Sequence, residues 1–333
     1  MTSHFALDEI FRDLHVVAIP TRTAFRGIKM REAAIFRGSA GWSEFSPFLE
    51  YDNREAKTWL KAAIEGAYQE WPVARRDSIE INATLPRVQP DEVENILANF
   101  PGCTTVKIKV DDFVKDSYLV EAVLDLIPDA KIRLDVNGGW TFQQALLNLH
   151  DYYLRFGKVF EYIEQPCQSL SDLAKLKLEI PFKIAVDESI RKFLDSDFQD
   201  LKDYADVAII KWAPTGGMTA ALELIAQIGL PTVISSALDT GIGISHNVAL
   251  ACALEDLPFA CGLGTVALLS GDVVVPAVTT RAGKIFRGVA VPNESALEKY
   301  CASADRVEWW QNRIQSIWNG GLSNEIQDLG WLK

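Results

Sequence analysis

The chain has 333 residues, 48% of them hydrophobic, enough for the cores of about two domains or for an eight-stranded α/β barrel with an addition. A formal net charge of −12 argues against a nucleic-acid backbone or an anionic membrane surface as partner, and no apolar run reaches the roughly 18 residues of a membrane span. Five cysteines without CxxC spacing and four histidines without an HExxH pattern leave oxygen as the only plausible metal donor and fit a reducing cytoplasm.

Residues Met1–Phe5 carry no basic segment followed by an apolar core, so no signal peptide is expected. Residues 1–78 read as an α+β cap. Strand-like pieces at His15–Ile19, Ile28–Arg37 and Ala40–Glu44 are broken by Pro20, Gly27 and Gly38. Asn53 is placed to cap a helix running to about Trp71, with Trp59, Ala63, Ala67 and Trp71 on one stripe. The loops Thr21–Gly27 and Glu44–Tyr51 either connect surface elements or close over a site.

From Ser78 the pattern becomes strand, loop, helix, repeated. Strands are predicted near Ile79–Leu85, Val106–Val110, Lys131–Asn137, Val159–Glu164, Lys183–Asp187, Asp206–Lys211, Thr232–Ser236 and Phe259–Leu263. Helices fall between most of them: Asp91–Phe100 places Val93, Ile96, Leu97 and Phe100 on one face, and Thr141-Phe142-Gln143-Gln144 makes a capping box. The alternation implies parallel βαβ units, and eight strands favour a closed (β/α)8 barrel over residues 79–289 rather than an open sheet. Residues 290–333, with Trp309, Trp310, Trp318 and Trp331, are expected to pack back on the cap. The sequence leaves monomer and homo-oligomer equally open.

Within the second barrel strand, Val106, Ile108 and Val110 alternate with Lys107 and Lys109. An edge strand with solvated lysines would explain this by itself. An interior strand instead demands counter-charge for two ammonium groups. Three acids supply it, at the carboxyl ends of successive strands: Asp135, Glu164 and Asp187. Strand alternation puts Arg133, Asp135 and Asn137 on one face, Lys183, Ala185 and Asp187 on another, and Val207, Ile209 and Lys211 on a third. Lys109, Asp135, Glu164, Asp187 and Lys211 can therefore face one cavity at the end of a barrel where active sites lie. Three carboxylates suit a hard dication, Mg²⁺ with Mn²⁺ as a substitute. The flanking lysines suggest proton transfer. A lysine base must be neutral, and both a second ammonium (Lys107) and a dication favour that form.

These segments resemble the enolase superfamily. Val106–Val110 is similar to its K-x-K strand; Asp135-Val136-Asn137, Glu164-Gln165-Pro166 and Asp187-Glu188-Ser189 are similar to its metal-ligand segments, and Lys211 to its second lysine. The likeness spans nearly the whole chain, including Gly41-Trp42-Ser43-Glu44, and two lysines without a catalytic histidine indicate the muconate-lactonising subgroup. Phe25-Arg26-Gly27, Glu44-Phe45-Ser46-Pro47-Phe48, Arg133, Ser235-Ser236-Ala237-Leu238-Asp239-Thr240 and Cys261-Gly262-Leu263-Gly264-Thr265 resemble the dehydratases of that subgroup. The resemblance implies a small carboxylate substrate and syn dehydration of a succinyl-hydroxycyclohexadiene carboxylate in menaquinone biosynthesis. Lys109 would be base and then acid, Lys211 a stabilising cation, and Lys107 a tuning group. Asp135, Glu164 and Asp187 would hold Mg²⁺, with Arg133, Asn137 and Glu188 supporting them. Ser235, Ser236, Phe25, Arg26 and Gly27 would meet the substrate. An N-succinylamino-acid racemase, using both lysines as opposed bases, is the nearest alternative; a muconate-type cycloisomerase, a Schiff-base aldolase and a non-catalytic barrel follow.

Overall fold

The computed structural model describes residues 2–25, 27–193 and 201–332. After a helix at Thr2–Arg12, strands β1 (His15–Phe25), β2 (Ile28–Arg37) and β3 (Trp42–Phe45) form an antiparallel sheet in that order. Pro20, which cannot donate to a ladder, sits in the edge strand β1, and the register shifts between it and Phe25. The turn from Phe25 to Ile28 has Gly27 at φ +76°, where a side chain would strain the backbone.

The helix Asn53–Tyr68 packs across this sheet, burying Trp59, Leu60, Ala63, Ile64 and Ala67. Its cap is Asp52, one residue before the expected Asn53: the Asp52 carboxylate accepts from the Glu55 amide at 2.9 Å. The helix stops at Tyr68, short of Trp71.

Beyond the cap, strands β4 (Ser78–Glu80), β5 (Ala83–Leu85), β6 (Thr105–Lys109), β7 (Lys131–Asp135), β8 (Phe160–Glu164), β9 (Ile184–Val186), β10 (Val207–Ile210), β11 (Thr232–Ile234) and β12 (Lys284–Phe286) follow in chain order. Seven of them, β5 to β11, form one parallel sheet in sequential order. Two expected strands differ from their reading. The segment 79–85 is divided: β4 pairs antiparallel with β12, and only β5 enters the parallel sheet. The eighth strand is reduced to Cys261 and Gly262, which bridge Ile81 on one side and Ser235 on the other. The Asn82 amide donates to Cys261 O at 3.0 Å and the Gly262 amide to Ile234 O at 2.9 Å, so these two residues close the barrel.

The barrel has two kinds of apolar surface. Val106, Ile108, Ile132, Leu134, Ile163, Ile184, Ile210 and Ile234 face outward into the main core, where helices such as Phe113–Leu126 cover them. Each such burial contributes about 1.5–3 kcal/mol. Tyr162, Ala185, Val207, Ile209 and Val233, with Phe259, form a separate plug inside the barrel. The capping box at Thr141 and Gln144 forms and starts the helix Phe142–Phe156 directly after β7.

At the other end of the chain, the helix Ala304–Ile317 lies against β1 and the helix Asn53–Tyr68. Trp310, fully buried, donates to Glu32 at 2.7 Å, and Arg306 pairs with the same carboxylate. Among the described residues no helix is long and apolar enough to cross a membrane.

Candidate active site

Every charged residue singled out for the cavity sits at a carboxyl end of a barrel strand. Lys109, Asp135 and Glu164 are the last residues of β6, β7 and β8; Asp187 and Lys211 follow β9 and β10 directly. Asp135 is in register with Lys109 on one side and Glu164 on the other. Parallel pairing in sequential register is what lines these ends up. With Cys261–Gly262 as the eighth stave, β6 and β10 lie four steps apart in either direction, so Lys109 and Lys211 project from opposite walls.

The cavity between them is lined by Lys107, Lys109, Asp135, Asn137, Asp187 and Lys211 on one side. Thr84, Ser235, Ser236, Ala237, Gly262 and Thr265 line the other, with Phe48 of the cap across the top. Its volume is about 30 Å³, room for about one water. Asn137 also lines a wider groove of about 830 Å³ against the helix Asn53–Tyr68, shared with Gln165, Gln168 and Glu188.

Lysines and carboxylates are interleaved. Lys109 Nζ donates to Asp135 Oδ2 at 2.5 Å and to Asn137 Oδ1 at 2.8 Å. Lys107 Nζ reaches the same Asp135 oxygen at 3.0 Å and Glu164 at 3.0 and 3.2 Å. Lys211 pairs with Asp187 Oδ2 at 2.5 Å. Burial by itself would neutralise Lys107, but Glu164 and Asp135 hold its pKa well above the ordinary lysine value. Burial likewise opposes ionisation of Asp135, yet Lys109 and Lys107 keep its carboxyl well below the usual range. Glu164 is pushed the other way, up to about 7, by burial and then by Asp135, despite Lys107.

Among the described residues no group of three acids, histidines or cysteines is close enough to hold a metal ion as it stands. The reason is charge balance. Buried carboxylates require counter-charge, and here each takes it from a lysine. In chemistry the set still fits a hard dication, with oxygen donors alone on three neighbouring strand ends.

The supporting residues divide. Asn137, in a left-handed conformation at φ +52°, links Lys109 to Glu188, its amide donating to Glu188 Oε1 at 2.8 Å. Glu188 therefore orients Asn137, and no hydrogen bond joins it to a site carboxylate among the described residues. Nor does any hydrogen bond join Arg133 to a site carboxylate among the described residues. It shares the inward face of β7 with Asp135 but lies two residues, about 6.6 Å, deeper. There it donates to Glu161 at 2.7 Å, to Asn82 Oδ1 at 2.9 Å and to Ala260 O at 2.8 Å, and stacks on Tyr162. Its role is to neutralise the inside of the barrel beneath the site.

Both serines line the cavity, but the Ser236 hydroxyl is engaged with Gly262 O at 2.9 Å and Thr265 Oγ1 at 2.8 Å. A Cβ at Gly262 would stand 2.6 Å from Ser235 Oγ, so glycine leaves that hydroxyl its place in the cavity wall. Gly27 is at the exposed cap turn, Phe25 ends β1, and Arg26 lies outside the described residues. Residues to which the sequence reading gave no individual role are Phe48, Thr84, Thr265 and Gln165. Thr84 was legible as the inward residue of β5. Gln165 has its signal only in space: its side-chain Oε1 accepts from the Asp187 and Ser189 amides at 3.1 Å, tying the end of β8 to that of β9.

Comparison with known proteins agrees with this architecture. Residues 16–67 match the enolase N-terminal domain-like family and residues 91–293 the enolase C-terminal domain-like family. The fold is shared with muconate lactonizing enzyme from Pseudomonas fluorescens (TM-score 0.73, 18% identity, 87% of this chain and 98% of that one). It is shared also with the L-Ala-D/L-Glu epimerase from Bacillus subtilis (TM-score 0.71, 22% identity, 84% and 96%). The o-succinylbenzoate synthase of Mycobacterium marinum is 43% identical over 94% of this chain and 95% of its own length. That of Mycolicibacterium smegmatis is 42% identical over 93% and 96%. With such identity sustained along nearly the full length of both partners, this chain belongs to the o-succinylbenzoate synthase family, within the enolase superfamily.

Proposed function

We infer that this protein is an o-succinylbenzoate synthase, a hydro-lyase that converts 2-succinyl-6-hydroxy-2,4-cyclohexadiene-1-carboxylate into 2-succinylbenzoate by syn loss of water. The observation that carries the reading is identity of 42–43% to enzymes of that name over nearly the whole chain. The facing lysines across one cavity supply the chemistry.

Lys109 takes the proton α to the ring carboxylate. The electron pair of the broken C–H bond passes into the carboxylate to give an enediolate, which Lys211 stabilises from the opposite wall. As its conjugate acid, Lys109 then returns the proton to the departing hydroxyl on the same ring face, so one water leaves and the ring becomes aromatic. One side chain serves both steps because syn geometry puts both groups before the same wall. Lys107 keeps Asp135 and Glu164 compensated while Lys109 works.

Asp135, Glu164 and Asp187 would hold Mg²⁺, which supplies Lewis-acid stabilisation of the charge developing on the substrate carboxylate. Such a dication would take over the counter-charge role at Asp135 and Asp187, freeing Lys109 and Lys211 from their present pairs. Asn137, bonded to Lys109 and lining both the cavity and the wider groove, marks the route by which a bulky substrate enters. Five cysteines, all free, support work in a reducing compartment such as the cytoplasm, and the reaction belongs to menaquinone biosynthesis.

The test is an ultraviolet assay of diene loss with Mg²⁺ present and after chelation, with N-succinylamino acids run in parallel. Rapid dehydration that chelator abolishes is expected. Racemisation without dehydration would overturn the substrate assignment while keeping both lysines in place.

A further inference from the structure

Arg31 has no part in the mechanism above, yet among the described residues it is the one buried guanidinium that joins the cap to the uncharged wall of the cavity. It projects from β2, is 3% exposed, and makes no direct ion pair among the described residues. Its hydrogen bonds go to carbonyls and a hydroxyl. Nε donates to Leu238 O at 3.0 Å, and one terminal nitrogen donates to Ala237 O at 3.2 Å, to Ser46 Oγ at 3.0 Å and to Ser46 O. The Phe48 ring, which lines the cavity, lies 4.8 Å from the guanidinium carbon. Ala237, also lining the cavity, is gripped from the barrel side.

Two features show that this grip has something to hold. Leu238 stands at φ +61°, a left-handed conformation that an L side chain rarely adopts and that persists only where surroundings enforce it. Arg31 is the cap residue bonded to its carbonyl. The charge is also balanced at one remove: Ser46 Oγ donates to Glu44 at 2.6 Å. The Glu44 carboxylate in turn accepts from Thr240 Oγ1 at 2.6 Å and from the Gly243 amide at 3.0 Å, at the start of the helix Gly241–Ala253. A planar fork of donors suits this task, whereas an ammonium would satisfy only part of it.

We propose that Arg31 is a positioning residue that sets substrate fit, by fixing Ala237–Leu238 of the barrel and Phe48 of the cap in one arrangement while touching neither substrate nor the reacting lysines. The inference rests on the dehydratase reading, because its effect is read in that reaction.

The experiment is steady-state kinetics of the Mg²⁺-loaded full chain with Arg31→Met, Arg31→Lys, Leu238→Gly and the Arg31→Met/Leu238→Gly pair. Arg31→Met should raise KM by about tenfold or more and change kcat by less than about threefold, since Lys109 and Lys211 are held elsewhere. Arg31→Lys should fall between it and the parent. Leu238→Gly, which removes the need to enforce a left-handed leucine, should bring the KM of Arg31→Met back toward the parent value. A folded Arg31→Met protein with KM within about twofold of the parent, or with kcat lost at unchanged KM, overturns the proposal. If Arg31→Met does not fold, Arg31→Lys is judged by the same KM criterion. If the parent racemises N-succinylamino acids instead of dehydrating, the functional reading fails, and the KM comparison is made on that substrate.

Discussion

The mouth of the barrel is made of two arcs with the same backbone and opposite furnishing. From β6 to β10 the strand ends present Lys107, Lys109, Asp135, Glu164, Asp187 and Lys211. From β11 through Cys261–Gly262 to β5 they present Ser235, Ser236, Gly262 and Thr84, with no charge. The charged arc is held by its own lysine–carboxylate pairs and by links between neighbouring strands such as Gln165. The neutral arc is held from outside, by Arg31 and Glu44 of the cap. In the function proposed above, chemistry sits on the charged arc. On the same proposal recognition sits on the neutral arc, which Arg31 and Glu44 of the cap grip, so substrate preference can change without disturbing the proton-transfer machinery.

The sharpest way to break this division is Lys109→Ala. Loss of the base on the charged arc should lower kcat by about 10³-fold or more, with far-ultraviolet circular dichroism unchanged because the side chain ends at the cavity. Retained turnover would remove Lys109 as the base. Asp187→Asn should cost about 10²-fold in activity and weaken Mg²⁺ binding, measured by calorimetric titration; undiminished Mg²⁺ affinity would remove Asp187 from the ligand set.

At the joint between the arcs, behind Lys211, His246 stacks on Trp212 at 4.3 Å. Its Nδ1 accepts from Trp71 at 3.1 Å, and its Nε2 faces Trp42 O at 3.1 Å, which fixes the neutral Nε2–H form. Burial pushes its pKa down to about 4 from an ordinary 6.5. Above pH 6.5 neither folded nor unfolded chain binds the proton, so nothing is lost. Below it the unfolded chain protonates first, and stability falls by about 3 kcal/mol as pH approaches 4. Urea unfolding at pH 7 and near pH 4 should show this loss shrinking in His246→Gln; an identical acid loss in that variant would rule the residue out. The smallest effect is expected on the neutral arc: Ser235→Ala should raise KM about threefold and leave kcat alone, whereas a kcat loss there would erase the division between arcs.

Much of the charged arc was legible in the chain. Period-two alternation places Lys107 and Lys109 opposite Val106 and Ile108 whatever the rest of the protein does, because successive strand side chains point to opposite faces. The same rule put Asp135, Asp187 and Lys211 on inward faces. It put Arg133 on that face too but could not place it deeper than Asp135, since alternation fixes direction and not height along the barrel. It also read strands where the backbone makes only a bridge, at Cys261–Gly262, or changes partner, at residues 79–85.

Local patterning thus determined by itself the βα order, the cap-then-barrel arrangement and the lysines and acids at strand ends, because these depend on periodicity and on spacing along the chain. Only the tertiary structure decided which charges pair, that Lys109 and Lys211 stand on opposite walls, and that Arg31 grips a loop more than 200 residues away. Those facts depend on barrel closure and on distances through space, to which no short stretch of sequence is sensitive.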